Sequence, residues 1–114
     1  MTGRSVQASR RDSKIVRPAR DIRPHAHKAA ALLKALANEQ RLMILCDLVE
    51  RELSVGELHE RLDLSQSALS QHLAVLRNAG IVATQRESQT ILYSLPPSVA
   101  TRIIGLLYKE YCEQ

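Results

Sequence analysis

The sequence predicts a mainly α-helical fold with one β-hairpin before its last helix, in the order ααααββα. Three observations carry this. Apolar residues recur at helical spacing from Ala29 to Leu76. Beyond Gly80 the period drops from 3.6 to 2 over two short runs, "IVATQR" and "TILYSL". After Pro96 and Pro97 the helical period returns.

The elements follow in chain order. Ala29, Leu32, Leu33 and Leu36 share one face of a first helix, and Pro24 suits its first turn. Asn38 is placed to cap a second helix carrying Leu42, Leu45, Leu48 and Val49. Ser54 with Glu57 three residues later is a capping box, which starts a short third helix. "DLS" breaks that pattern, and Ser65 caps a fourth helix, "QSALSQHLAVLRN", which Gly80 stops. The two β-favouring runs are separated by "ESQ" and read as a hairpin. The last helix has its apolar positions at Val99, Ile103, Ile104, Leu106, Leu107 and Tyr111.

The chain of 114 residues suits one domain. Residues 1–22 are polar and Arg-rich with little apolar periodicity, so they read as a disordered basic arm. Residues 23–114 form the folded domain. The charge divides the same way. Residues 1–23 hold Arg4, Arg10, Arg11, Lys14, Arg17, Arg20 and Arg23 against Asp12 and Asp21, a net +5, and the rest sums to −1. An arm of that charge suits a polyanion, although a solvated tail without a task has the same composition. Its Arg and Ser content also resembles a transit peptide, but two Asp residues interrupt it.

Other classes fall away. No run approaches the roughly 18 apolar residues of a membrane span, and no apolar leader opens the chain, so a cytoplasmic protein without a membrane partner is expected. Two cysteines are too few for a disulfide scaffold. No Gly-rich phosphate loop, convergent acid/base pair or cofactor motif is present. The apolar neighbours of Cys46 do not suit a catalytic thiolate. An enzyme is not expected.

Two short helices joined by a tight turn, then a hairpin, describe a winged helix-turn-helix. At 100° per residue, Leu69, Leu73 and Leu76 fall within about 60° of one another and form the buried stripe of the fourth helix. Ser67, Ser70, Gln71, Ala74 and Arg77 lie on the other side. That face is small and hydrogen-bonding, with one cation and no carboxylate. Such a face suits the major groove of double-stranded DNA. Gln bonds adenine edges, Ser bonds bases or phosphates, and Ala touches a thymine methyl. An ordinary amphipathic surface helix is the alternative, but those are rich in Glu and Lys. Arg86 and Gln89 flank the hairpin tip and reach minor groove or backbone if the hairpin is a wing. In a plain surface hairpin the same Arg would be solvated. His72, at the edge of the stripe, reads as a packing residue with a hydrogen bond rather than a base reader.

The segments "LLKALANEQRLMIL", "SVGELHERLDLSQSALSQHLAVLRNAGIV" and "TILYSL" resemble the ArsR family of bacterial winged-helix repressors, over residues 28–95 without a gap. The resemblance implies a homodimer assembled through the first and last helices and bound to an inverted-repeat operator. It implies base contacts from Gln66, Ser67, Ser70 and Gln71. There are two departures. The family often has Pro before the "RL" of the second helix, where this chain has Glu39 and Gln40. It often has Gly after Glu at the wing tip, where Ser88 suggests a wider turn.

Relatives in this family are often metal sensors. The usual thiolate pair at the start of the third helix is missing from "LSVGEL", and the last helix has no His or Asp. His25 and His27, two apart, point to different helix faces, and only a second protomer would rescue them as ligands. No metal is expected. The two thiols remain. Read alone, Cys46 is a small hydrophobe in a packed helix, and Cys112 is an accessible thiol near the chain end. "RLMILC" and "LYKEYC" resemble the BigR/SqrR-like persulfide-sensing branch, which has one Cys in the second helix and one at the end of the last. That resemblance implies a repressor released when reactive sulfur species, persulfide or polysulfide, crosslink Cys46 and Cys112. Such a link ties the second helix to the dimer-building last helix. Half-sites one helical turn apart, roughly 34 Å, tolerate little change in the spacing of two reading heads. A metal-responsive repressor and a constitutive DNA-binding protein with inert thiols are the alternatives.

Overall fold

The computed structural model describes residues 21–112 of the chain. The basic arm expected over 1–22 therefore lies outside the described residues, except for Asp21 and Ile22. Asp21 precedes the first helical turn and bonds to its first residue. Its carboxylate accepts from the Arg23 backbone N–H at 2.9 Å and pairs with the Arg23 guanidinium. A 3₁₀ turn over Arg23–His25, with Pro24 inside it, leads into α1 (Ala26–Leu36).

Three of the expected caps close as hydrogen bonds. Asn38 Oδ1 accepts from the Arg41 N–H at 3.0 Å and starts α2 (Glu39–Asp47). Ser54 Oγ accepts from the Glu57 N–H at 3.1 Å, and the Glu57 carboxylate accepts from the Ser54 N–H at 2.9 Å. This reciprocal box starts α3 (Val55–Arg61) and holds the Glu57 carboxyl below the usual carboxylate range. Ser65 Oγ accepts from the Ala68 N–H at 3.1 Å at the head of α4 (Gln66–Asn78). A fourth cap, Ser98 onto the Thr101 N–H at 3.1 Å, starts α5 (Val99–Tyr111).

One buried cluster joins all five helices and the sheet. Ile44, Leu45, Leu58, Leu69, Leu73, Leu76 and Ile104 are fully or almost fully buried, so every helix from α2 to α5 contributes, and Leu36 of α1 closes the edge. Each fully buried Leu or Ile stabilises the fold by about 1.5–3 kcal/mol relative to exposure. The last helix is two-faced. Ala100 and Ile104 point into the core, whereas Val99 and Leu106 face outward, Leu106 at 70% exposure. Leu33 of α1 is likewise 54% exposed.

The hairpin differs from the expectation in three ways. Its first strand, β2 (Ala83–Glu87), begins two residues late. Ile81 and Val82 are instead buried behind the end of α4, because the Leu76 carbonyl captures both of their N–H groups, at 2.9 and 3.4 Å. Gly80 makes that reversal at φ 74°. The turn is not wider: Glu87 pairs with Thr90 of β3 (Thr90–Ser94), leaving only Ser88 and Gln89 to link the strands. Ser88 adopts φ 62°, the left-handed region where a glycine would be unstrained. Finally, β1 (Leu53–Ser54) forms a third antiparallel strand on β3, with Leu53 opposite Tyr93, in the order β1–β3–β2. Two residues are too few to show alternation in the sequence.

Gly80 and Ser88 share a backbone region, so their substitutions should act with opposite signs. Gly80→Ala meets no atom within 4 Å of the new Cβ. Its cost of about 1 kcal/mol is therefore conformational. Ser88→Gly should gain roughly 0.5 kcal/mol, strain relief less the entropy glycine adds to the unfolded chain. Urea unfolding at constant slope measures both. Changes of equal sign would contradict the backbone explanation.

Candidate nucleic-acid interface and thiol site

The α3–turn–α4 unit is set by its caps and by Leu64, which is buried in the turn. Leu69, Leu73 and Leu76 anchor α4 inward. That rotation leaves Gln66, Ser67, Ser70, Gln71, Ala74 and Arg77 all exposed along one side. The Ser65 and Ser67 hydroxyls lie 3.4 Å apart at the head of the helix. On the hairpin, Arg86 and Gln89 are exposed. Arg86 Nε donates to the Ser88 carbonyl at 3.2 Å, which bends the side chain back over its own turn.

His72 is half-buried at the edge of the stripe and ties α4 to α2. Arg41 Nη1 stands 3.4 Å from Nδ1, and Gln40 Oε1 lies 2.8 Å from Nε2. Arginine offers only donors, so Nδ1 accepts, and Nε2 carries the proton and donates to Gln40. Arg41 also donates to the carbonyls of Ala35 (2.7 Å) and Lys34 (3.3 Å) at the end of α1. One guanidinium thus caps α1 and steadies α4, while the backbone N–H of the same residue takes the Asn38 cap that starts α2. Gln40, at the position where Pro was looked for, supplies part of this clamp. Sequence reasoning did not find Arg41, because its partners lie up to 31 residues away.

Cys46 is half-buried on α2, and Cys112 is exposed at the C-terminal cap of α5. Both are free thiols, and Cys112 lies near enough to Cys46 to act on its thiol. Burial pushes the Cys46 thiol above the ordinary thiol range. The adjacent Cys112 adds to this by charge and by hydrogen bonding, and Asp47 adds last. An open cavity of about 430 Å³ lies against Cys46, lined also by Met43, Asp47, Arg61 and Leu62. Arg61 Nε stands 3.4 Å from the buried Asp47 Oδ2, an ionic contact that does not close as a hydrogen bond. The Tyr108 hydroxyl donates to the Glu50 carboxylate across the same α2–α5 junction. Glu50 follows Cys46 by four residues and Tyr108 precedes Cys112 by four, a spacing readable in the sequence once the thiols are paired. Among the described residues no group of three or more His, Cys, Asp or Glu side chains is arranged to hold a metal ion, and no helix is long and apolar enough to cross a membrane.

Comparison with known proteins agrees with this geometry. The family model described as bacterial regulatory protein, arsR family, matches residues 38–84. The transcriptional activator HlyU of Vibrio cholerae is 54% identical over 93 residues, 82% of this chain and 86% of that protein. The biofilm growth-associated repressor of Agrobacterium fabrum is 51% identical over 87 residues, 76% of this chain and 74% of that protein. Among solved structures, reduced HlyU from Vibrio cholerae superposes with a TM-score of 0.74 at 55% identity, covering 80% of this chain and 96% of that one. The transcriptional repressor BigR from Xylella fastidiosa gives 0.75 at 43% identity, with 84% and 95% covered.

The raised pKa of Cys46 sets a direction for its reactivity. A raised value keeps the neutral thiol to higher pH, so less thiolate is present near pH 7. Cys46 alkylation, followed peptide by peptide, should accelerate only above the ordinary thiol value of about 8.5. In Cys112→Ser the midpoint should fall, yet stay above that value, because burial is the largest cause. A wild-type midpoint at or below the ordinary value would contradict this environment.

Proposed function

We propose that this chain, which belongs to the arsR family of bacterial regulatory proteins, is a repressor that reads an operator as a dimer and leaves it when reactive sulfur species crosslink Cys46 and Cys112. As a family member it is a transcriptional regulator with a winged helix-turn-helix, and its relatives are regulators rather than enzymes. The observation that carries the finer reading is the adjacency of two thiols 66 residues apart in sequence, one on α2 and one at the end of α5.

In this reading α4 enters the major groove of double-stranded DNA. Gln66, Ser67, Ser70 and Gln71 meet base edges, and Arg77 meets phosphate. Arg86 and Gln89 of the wing follow the backbone or minor groove. The outward apolar positions on α1 and α5, Leu33 and Leu106, suit a second copy of the chain. The basic arm adds phosphate contacts. Full specificity then comes from two reading heads at a fixed separation.

The chemistry balances with a persulfide donor as the oxidant. Cys112 takes the outer sulfur of one donor molecule and releases the parent thiol, passes that sulfur to the adjacent Cys46, and is loaded again by a second donor, which releases a second parent thiol. The terminal sulfur of one cysteine persulfide then attacks the inner sulfur of the other and expels hydrogen sulfide, leaving a three-sulfur bridge. Cys112, the exposed thiol, is the first that a donor meets. The bridge joins α2, which backs the reading helix, to α5.

Two experiments test this. Gln71→Ala should remove a base contact worth on the order of 1–3 kcal/mol and relax specificity at one position per half-site. Arg77→Ala should weaken specific and non-specific binding alike. Equal binding of the Gln71 variant and wild type to the operator and to a scrambled duplex would rule out α4 as the reader. For the switch, a persulfide donor should add sulfur mass to a Cys46–Cys112 crosslink and weaken operator binding, and peroxide should do so much less. Either Cys→Ser change should leave a protein that binds DNA and does not respond. Full release of the Cys112→Ser protein by the donor would overturn the two-thiol mechanism.

A further inference from the structure

We infer that the Tyr108–Glu50 hydrogen bond is a positioning pair that holds Cys112 over Cys46 and so sets how efficiently one thiol closes onto the other. This rests on the dithiol reading above and names residues that it does not use.

The geometry is that of two rungs between the same two segments. One rung is Cys46 with Cys112, and the other is Glu50 with Tyr108. Along α5 four residues advance about 6 Å, so the rungs stand roughly one turn apart there, while Glu50 lies in the turn that follows α2. Both ends are stiffly connected. The Cys112 N–H donates to the Tyr108 carbonyl at 2.8 Å, which fixes thiol and phenol in one turn of α5. On the other side α2 ends at Asp47, and the Val49 N–H donates to the Cys46 carbonyl at 3.2 Å, a turn bond that ties the thiol's residue to the one before Glu50. Moving Tyr108 therefore moves Cys112, and moving Glu50 moves Cys46.

The need for such a tie is physical. Cys112 caps the last turn of a helix, where backbone bonds open most readily, and its side chain is exposed. An untethered end would let small thiols in solution compete with Cys46 for a sulfur carried on Cys112. A phenol donating to a carboxylate is a charge-assisted bond. It spans the α2–α5 junction one turn from the reacting atoms. Ordering the two thiols beforehand raises the effective concentration of one toward the other.

The test is a partition. Persulfide donor is added to the reduced full-length protein in the presence of a fixed excess of iodoacetamide. Mass analysis then gives the ratio of Cys46–Cys112 crosslink to alkylated Cys112 persulfide. Tyr108→Phe and Glu50→Ala should each lower that ratio about tenfold, and the double variant should be no worse than either single one. Glu50→Gln keeps an oxygen acceptor and should stay within about twofold of wild type. Operator binding and thermal midpoint of the reduced variants should match wild type, which separates positioning from general stability. An unchanged ratio in Tyr108→Phe, or a Glu50→Gln ratio as low as that of Glu50→Ala, overturns the positioning role and leaves the sensor reading standing. A wild-type protein that forms no crosslink with the donor removes both.

Discussion

Helix α2 is the shared wall of this molecule, and the rest of the fold depends on its burial. It packs against α1, α4 and α5 at once, with Ile44 and Leu45 fully enclosed. A nine-residue helix is too short to be stable alone, so its shape is borrowed from those neighbours. Arg41 sharpens the arrangement from one end of α2: its guanidinium takes two α1 carbonyls and reaches His72 of α4. Cys46 near the other end of α2, and Glu50 in the turn that follows, face α5. In the proposed switch a movement of α2 relative to α5 reaches α4 through this shared packing.

What could be read from the sequence was what is local. Asn38, Ser54 with Glu57, and Ser65 announced three helix starts because each cap acts within three residues of itself. The Leu69–Leu73–Leu76 stripe announced the rotation of α4 because a helix repeats its own period. The outer face of α4 followed by subtraction. The remainder was decided by partners distant in sequence. β1 exists because the edge of β3 had room for a strand. Ile81 and Val82 left the hairpin because the end of α4 took their N–H groups. Ser88 turned in two residues because the Glu87–Thr90 pairing demanded it, against its own backbone preference. Arg41 was invisible for the same reason, with its His72 partner 31 residues away, and the Tyr108–Glu50 pair, 58 residues apart, could be read only through the pairing of the thiols.

The last helix shows how one pattern can serve two surfaces. Val99, Ile103, Ile104, Leu106 and Leu107 look like a single broad apolar stripe. In the fold, Ile104 is buried, Ile103 and Leu107 are half-buried against the core, and Val99 and Leu106 face outward. A helix that needed only to cover this core would carry polar residues at those outward positions. The surplus, with Leu33 on α1, is the feature that asks for a second copy in the proposed dimer. It also places the carrier of Cys112 between the core and that second surface.

This placement explains why a covalent device suits the proposed switch better than a weak one. Reversing a two-state preference from 1:99 to 99:1 takes about 5.5 kcal/mol of differential stabilisation. A single hydrogen bond supplies only about 0.5–1.5 kcal/mol net, or up to 3 when one partner is charged. The Tyr108–Glu50 bond can order the junction but cannot by itself turn the protein over. A sulfur bridge is different in kind, because it forbids every arrangement of α2 and α5 that its length does not span. Its effect is bounded by the strain those helices can bear, not by the strength of a contact. In the proposed switch the thiols favour a particular oxidant. Cys46 is held as a neutral thiol by burial and by its neighbour. A reagent that must be attacked by its thiolate is disadvantaged at neutral pH. A reagent that first loads sulfur onto exposed Cys112 turns the problem into an encounter between adjacent groups, where proximity replaces nucleophilicity.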